Sequence, residues 1–311
     1  MHCSVDLTAR VVNILKNGGL VGLPTETVYG LAADASNEAA VQKIFTAKGR
    51  PNNHPLIVHL AHLDQLSNWA YTIPSYAFAL AERFWPGPMT LILPKQTHVL
   101  DVITGGQHTI GLRIPQHPIA HTILAAFGGG LAAPSANLFG HISPTTAQHV
   151  RESLGDRVDW VIDGGPCTIG IESTIIDCTQ KHPRILRPGM ITAIMIEEVT
   201  GLELDQENKK KPRVSGALAS HYAPHTPTRL VTTAQIDQAE NAVIISRRPL
   251  IDKKTGVHCL LMPEHATAYA QVLYQKLHEA DQLGYKEIWI EAVPSDPEWQ
   301  GIQDRLNKAS A

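Results

Sequence analysis

The sequence predicts an α/β protein in two parts, a twisted mixed-sheet domain followed by a small Rossmann-like parallel-sheet domain. Three observations predict this. The chain has 311 residues, more than one core of ordinary size needs. Up to about residue 200, short apolar runs and helical periodicities mix without strict alternation. Beyond a polar stretch at 204–220, strands and helices alternate.

The elements are read in order. Leu7, Val11, Ile14 and Leu15 recur at helical spacing over 6–17, and Gly18-Gly19 end that helix. Residues 20–23 form a short buried strand stopped by Pro24. Ser36 is expected to cap a second helix with Ala40, Val41, Ile44 and Phe45 on one face. Residues 56–60 and 89–93 read as strands, with a helix at 75–84 between them. Residues 109–114 alternate like a half-exposed strand. Further short strands are read at 131–133, 160–163, 173–177 and 184–187, with helices at 117–126 and 145–153. The stretch 204–220 carries Lys209, Lys210 and Lys211 and reads as a solvated linker. The second part has strands at 242–245, 257–262 and 287–290, a helix at 265–282 and a terminal helix from 298. No GxGxxG follows its first strand, so a dinucleotide site there is unsupported.

Composition narrows the function. With 43% hydrophobic and 18% charged residues, a packed core is expected. A net charge of −3 does not suggest a broad basic face for duplex nucleic acid. Cys3, Cys167, Cys178 and Cys259 form no CxxC pair, so neither a zinc knuckle nor a disulfide scaffold is supported. The first residues lack a signal-peptide pattern, and no apolar run approaches the ~20 residues that cross a bilayer, so a membrane role is not expected. The 16 histidines are scattered, read mostly as surface residues, and show no HExxH spacing. Walker A and protein-kinase motifs are missing, so any nucleotide is held another way.

Four clusters carry candidate chemistry. At 23–30, Leu-Pro-Thr-Glu-Thr-Val-Tyr-Gly puts the hydroxyls of Thr25 and Thr27 just past a strand end, where α/β folds place ligands. A threonine-stabilised turn fits the same residues. Lys48 and Arg50, one glycine apart, suit a phosphate chain. Cations favoured at a helix C-terminus, worth ~0.3–1 kcal/mol, are the plainer account of that pair alone. His54 and His59 follow, the latter inside an apolar strand where a satisfied core histidine is usual. Ala133, Ser135 and Asn137, then Ser143, offer close backbone approach and neutral hydrogen bonds of the kind a nucleoside needs, or an ordinary Ser/Asn turn. Ser173 in Gly-Ile-Glu-Ser-Thr-Ile is followed by a third cation, Arg187, whose plainer account is a surface charge at a loop. The set as a whole is cationic and rich in hydroxyls, which suits an anionic substrate better than hydride or thiol chemistry.

These clusters, in this order and at these intervals, resemble the Sua5/YrdC/YciO family. The resemblance rests on LPTETVYGLAADA, FTAKGRPNNHPLIVHL, FWPGPMTLIL, TIGLRIPQHP, LAAPSANLFGHISPTTAQHV, IDGGPCTIGIESTIID and ILRPGMI, which span residues 20–191 nearly without a break. His221-Tyr222-Ala223-Pro224 and the run from Gly301 to Leu306 resemble the longer Sua5 type. The resemblance implies a YrdC-like catalytic domain at 1–203, a linker or lid at 204–227 and a Sua5-type α/β domain at 228–311. It implies a cytoplasmic enzyme that joins L-threonine, bicarbonate and ATP into L-threonylcarbamoyl-adenylate, with Mg2+ accompanying the ATP. A tRNA threonylcarbamoyl-transferase machinery would then use the product.

By match of position, Thr27 and His59 would bind threonine with Ser173 and the Ala133 backbone. Lys48, Arg50 and Arg187 would hold phosphates and act as the catalytic cations. His54, Thr109, Ser135, Asn137 and Ser143 would line the nucleotide side, and Tyr222 would close the cavity. Two departures from the family pattern are His54, where many members have asparagine, and a linker less basic before His221 than in many members. Two other readings stand beside this one. A carbamoyl-adenylate-forming module of hydrogenase maturation proteins would need greater length and zinc fingers. A non-catalytic double-stranded RNA-binding module of the same fold would make an RNA contact and turn over no ATP.

Overall fold

A computed structural model describes residues 4–206, 211–216, 218–236, 238–249 and 256–311. Cys3, Lys209 and Lys210 lie outside these residues. The first sheet has nine strands: β1 (Val21–Leu23), β2 (Gly30–Asp34), β3 (Ile57–His59), β4 (Met89–Pro94), β5 (Thr109–Arg113), β6 (Leu131–Ala132), β7 (Trp160–Val161), β8 (Thr174–Asp177) and β9 (Arg184–Arg187). Their spatial order is β7-β1-β2-β6-β3-β5-β4-β8-β9. Parallel pairs (β1 with β7, β3 with β5, β4 with β8) mix with antiparallel ones, so the sheet is mixed as predicted.

Helices cover both faces. Ile44, Phe45, Leu80 and Phe84 pack with Leu31, Val58, Leu91 and Leu112 in one apolar cluster. Val11, Leu15, Ile123 and Leu124 pack with Val21, Leu23 and Leu131 in another. This double covering corrects the reading of β5 as half-exposed. Thr109 alone is partly open, and residues 110–113 are buried, Ile110 and Leu112 within the apolar cluster that holds Val58 and Leu91.

Three further differences have local causes. The cap of the helix Glu38–Lys48 is Asn37, whose side chain accepts from the Ala40 amide, because the Ser36 hydroxyl is spent on Asp34 at 2.6 Å. β2 escapes notice because Gly-Leu-Ala-Ala-Asp lacks the β-branched signature, yet its backbone pairs with β1 and β6. The helix Ala193–Thr200 and the strand at 228–231 were likewise not read from the sequence.

The second sheet comprises β10 (Thr228–Val231), β11 (Ala242–Ser246), β12 (Val257–Leu261) and β13 (Glu287–Glu291), in the order β10-β13-β11-β12. All its pairs are parallel, as the strand–helix alternation predicts. The helices Ala266–Gln282 and Gln300–Ala309 supply Leu273, Leu277, Ile302 and Leu306 to its core. That core continues into the first part of the chain through Val28, Ile142, Ile171 and Tyr222. Two glycines make this close approach feasible. A side chain at Gly170 would fall 2.3 Å from the Ala270 carbonyl oxygen, and one at Gly301 would fall 2.9 Å from the Gly189 backbone.

Candidate active site

A hollow of about 530 Å3, measured to its open mouth, lies on the first sheet, with Ser215, Gly216, His221 and Tyr222 on one side. Thr27, Arg50, His59, Ala133, Ser135, Ser173, Arg187 and Tyr222, all singled out from the sequence, meet on its wall. The other five, Lys48, His54, Thr109, Asn137 and Ser143, do not line it.

One end is built for a small polar ligand. Thr25 folds the turn, its hydroxyl donating to the Val28 carbonyl at 2.6 Å and accepting from the amides of Thr27 and Val28. The turn and ligand readings of this cluster are therefore compatible, since the turn presents Thr27 to the hollow. Arg113, at the end of β5, donates from Nη1 to Thr27 Oγ at 2.8 Å and from Nη2 to Glu26 Oε1 at 2.6 Å. His59 is buried with its Nδ1 unpartnered. Burial, aided by the Arg113 charge, holds the His59 pKa well below the ordinary histidine value, so the ring is neutral at pH 7. Ser173 Oγ lies 2.8 Å from the Thr90 hydroxyl.

The other end is cationic. Gly49 ends its helix in the left-handed conformation at φ 61°, which turns Arg50 toward the hollow. Arg50 Nη2 donates to the Pro55 carbonyl at 2.8 Å and to Ser215 Oγ at 3.1 Å, while its Nε has no partner. Arg187 donates from Nε and Nη2 to the Ser173 carbonyl at 3.1 and 2.9 Å, and from Nη1 to the Ser215 carbonyl at 3.2 Å. Among the described residues no carboxylate forms an ion pair with either guanidinium. Burial lowers the Arg50 pKa to about 10 and lowers that of Arg187. Both remain charged at pH 7, each a buried cation facing a cavity.

Ser215, Gly216, His221 and Tyr222 bound the hollow from the later part of the chain. Gly216 sits at φ 76°, where a side chain would fall 2.2 Å from the Tyr222 hydroxyl. Tyr222 itself holds φ 61°, a sparsely populated conformation for a bulky residue. Its ring is buried and its hydroxyl has no partner.

Behind the wall stand residues that shape it. Lys48 is buried and donates to the carbonyls of Ser135 and Asn137 at 2.6 and 2.5 Å, so its ammonium holds the Ser135 loop rather than the hollow. Asn137 donates to the carbonyls of Leu138 and His141. Ser143 donates to Glu172 at 2.6 Å. Thr109 lines a separate small cleft with Val214 and Ser215, and the His54 ring packs edge-on against Phe139 at 5.1 Å.

Sequence reasoning gave no site role to Arg113, Ser215 or Arg305. A charged residue inside the apolar run 109–114 was the available signal for Arg113. Arg305 stood in the run 301–306 noted for its resemblance, but nothing local tied it or Ser215 to the site, which they reach only through the tertiary fold.

Residues 13–189 match the Sua5/YciO/YrdC family model, described as telomere recombination, and residues 191–311 match a threonylcarbamoyl-AMP synthase C-terminal domain. The chain belongs to the Sua5/YciO/YrdC family. It is 45% identical to the threonylcarbamoyl-AMP synthase of Bacillus subtilis, over 97% of this chain and 92% of that protein. It is 38% identical to that of Pyrococcus abyssi, over 95% and 92%. Its fold matches the crystal structure of P. abyssi Sua5 complexed with L-threonine, with a TM-score of 0.91, 35% identity and coverage of 100% of this chain and 96% of that one. In its fold and its family this chain is thus of the long, two-sheet type. Among the described residues no helix is long and apolar enough to cross a membrane.

Proposed function

We propose that this chain joins L-threonine, bicarbonate and ATP into L-threonylcarbamoyl-adenylate, a nucleotidyl transfer that releases pyrophosphate. One observation carries the reading: two buried guanidiniums without carboxylate partners share a hollow with Thr27, His59 and Ser173. The relatives' names and the threonine bound to the P. abyssi protein support it.

In this reading threonine's amine attacks the bicarbonate carbon, the C–OH bond breaks, and N-carboxy-threonine and water result. Its carboxylate oxygen bonds to the α-phosphorus of ATP as the bond from that phosphorus to the bridging oxygen breaks, and pyrophosphate departs with the electron pair. The chain's own work is to bring two anions together and to neutralise charge on the phosphates, which Arg50 and Arg187 do by aimed donors. His59, being neutral, offers its unpaired Nδ1 to a polar group of threonine, and Thr27 and Ser173 offer hydroxyls. Lys48, Asn137 and Ser143 act by holding the wall, and Thr109 and His54 meet the nucleotide once Val214 and Ser215 give way. Mg2+ would come with the triphosphate. Glu172, the carboxylate on the wall of the hollow, is engaged by Arg305, and Glu26 behind that wall by Arg113, so the residues present do not suit a protein-held metal.

In this proposal 1–203 is the catalytic domain, 204–227 the lid and 228–311 the C-terminal domain, and the product passes to a tRNA-modifying transferase in the cytoplasm. Direct RNA contact is not required. The double-stranded RNA reading is not favoured, because the cations that suggested it are buried at the hollow rather than spread over a surface. The test is incubation with ATP, Mg2+, bicarbonate and each amino acid in turn, followed by pyrophosphate assay and mass analysis. Threonine-dependent adenylate is expected. Salt-sensitive RNA binding without ATP turnover would overturn the proposal.

A further inference from the structure

The second domain reaches toward the hollow through one side chain. Arg305, on the helix Gln300–Ala309, is completely buried. Its Nε donates to Glu172 Oε2 at 2.7 Å, and its Nη2 to the Glu172 carbonyl at 3.2 Å. Its Nη1 donates to the Pro188 carbonyl at 2.9 Å. Glu172 is held as well by the Ser143 hydroxyl on Oε1 at 2.6 Å and the Tyr274 hydroxyl on Oε2 at 2.9 Å. Both oxygens of that carboxylate are therefore engaged within the protein, although Glu172 borders the hollow.

The neighbours of these anchor points matter. Glu172 precedes Ser173, and Pro188 follows Arg187. One guanidinium thus grips the two main-chain segments that carry a hydroxyl and a cation of the hollow. Those segments are also tied to each other, since the Ser173 carbonyl accepts two donors of Arg187. The helices of the second domain rest on the same segments at Gly170 and Gly189, with no room for a side chain at Gly170 or Gly301. The Arg305 guanidinium carbon also lies 5.3 Å from the centre of the ring of Tyr222, which borders the hollow.

We infer that Arg305 and Glu172 form a positioning pair through which the second domain sets Ser173 and Arg187 against the substrates and backs Tyr222. The inference rests on the adenylate-forming reading above. Arg305 is not on the wall of the hollow, so it acts through Glu172 and is not a catalytic residue. A planar fork that meets the Glu172 carboxylate and the carbonyls of Glu172 and Pro188, with Asp304 on the same Nη1, defines how two loops lie relative to each other; an ammonium, a single point charge, does not. Displacing a reacting group by about 1 Å lowers rate by about 100-fold, so a small loosening of this seam is kinetically visible.

The test compares the full-length protein with Arg305→Lys and Tyr274→Phe, reading adenylate by mass, pyrophosphate release, and KM for ATP and threonine. Arg305→Lys is expected to lower kcat/KM by about 100-fold. Its KM for both substrates should rise, and more pyrophosphate should be released per adenylate formed. Tyr274→Phe removes only one donor to Glu172 and should move the same quantities the same way, by about 3- to 10-fold. A merely structural seam would lower thermal stability but leave KM and the pyrophosphate-to-adenylate ratio of the folded protein unchanged in both variants, and that result overturns the inference. If Arg305→Lys does not fold, Tyr274→Phe decides alone. No adenylate from the unaltered protein would instead condemn the functional reading, which keeps the two failures apart.

Discussion

Two sets of buried arginines stand in and around the hollow, and they differ in their partners. Arg113 is matched to Glu26 at 2.6 Å, and Arg305 to Glu172 at 2.7 Å and to its neighbour Asp304 at 2.6 Å. Among the described residues, Arg50 and Arg187 have only carbonyls and the hydroxyls of Ser215 and Ser173 as hydrogen-bond partners. All four are withdrawn from water, where an unpaired charge is much less stable than a paired one. The paired set is construction: it holds Thr27 and the loop around Ser173. In the function proposed above, the second set is the one left to receive a phosphate. Burial alone does not separate a binding cation from a structural one; the partner does. Glu172 shows the strength of the paired arrangement. Burial favours its neutral acid, yet Arg305, Arg187 and the Ser143 hydroxyl outweigh that and hold its pKa at about 2.

The contrast is most severely tested on the paired set. Arg113→Ala leaves Glu26 charged and buried, so unfolding free energy should fall by about 3–5 kcal/mol. This would be read as a lower urea midpoint at unchanged slope. A midpoint like the unaltered protein's would move Arg113 out of the structural set. Next come the receptive cations. Arg187→Ala should lower kcat/KM by about 100-fold and Arg50→Ala by at least 10-fold, roughly 2.7 and 1.4 kcal/mol. Neither should lower stability as Arg113→Ala does. Unaltered pyrophosphate kinetics in either variant would remove that residue from the site.

Acid sharpens the comparison with a different probe. Burial lowers the His278 pKa to about 4 and that of His221 to about 3. The His149 ring, 4.0 Å from the His278 ring, adds to the effect on His278. A histidine that binds its proton less tightly when folded stabilises the fold in its neutral form. That contribution is whole above the ordinary value of 6.5 and is lost as pH falls toward 4. Stability should therefore drop below pH 6.5 by up to about 1.4 kcal/mol per pH unit for each such group. A flat urea midpoint from pH 7 to pH 5 would contradict this. The smallest effect belongs to Tyr222→Phe. Its hydroxyl has no protein partner, so stability should stay within about 1 kcal/mol while KM for ATP rises a few-fold. An unchanged KM would mean that the hydroxyl meets no ligand.

Much of the fold was legible because local chemistry announced it. Gly18-Gly19, Pro24 and the apolar runs at 56–60 and 89–93 mark element ends and buried strands, and the later strand–helix alternation marks a parallel sheet. β2 was not legible, because small residues make a strand only through the backbone pairs offered on both sides. In the site, Thr27, Arg50, Ser173 and Arg187 could be singled out as residue types suited to an anion. Lys48 belonged to the same pattern, but the fold turns its ammonium onto two carbonyls instead.

By itself, the order of motifs along the chain determined the family, the two-part α/β architecture and the residue types gathered at the hollow. That is so because turns, strand ends and helix caps are set by neighbours a few residues away. Only the tertiary structure decided which arginines have carboxylate partners, which hydroxyls lie behind the wall, and that the last helix fastens the loops beside Ser173 and Arg187. Those outcomes join residues far apart in the chain, Arg113 and Glu26 by 87 positions and Arg305 and Glu172 by 133, and no local pattern encodes such a meeting.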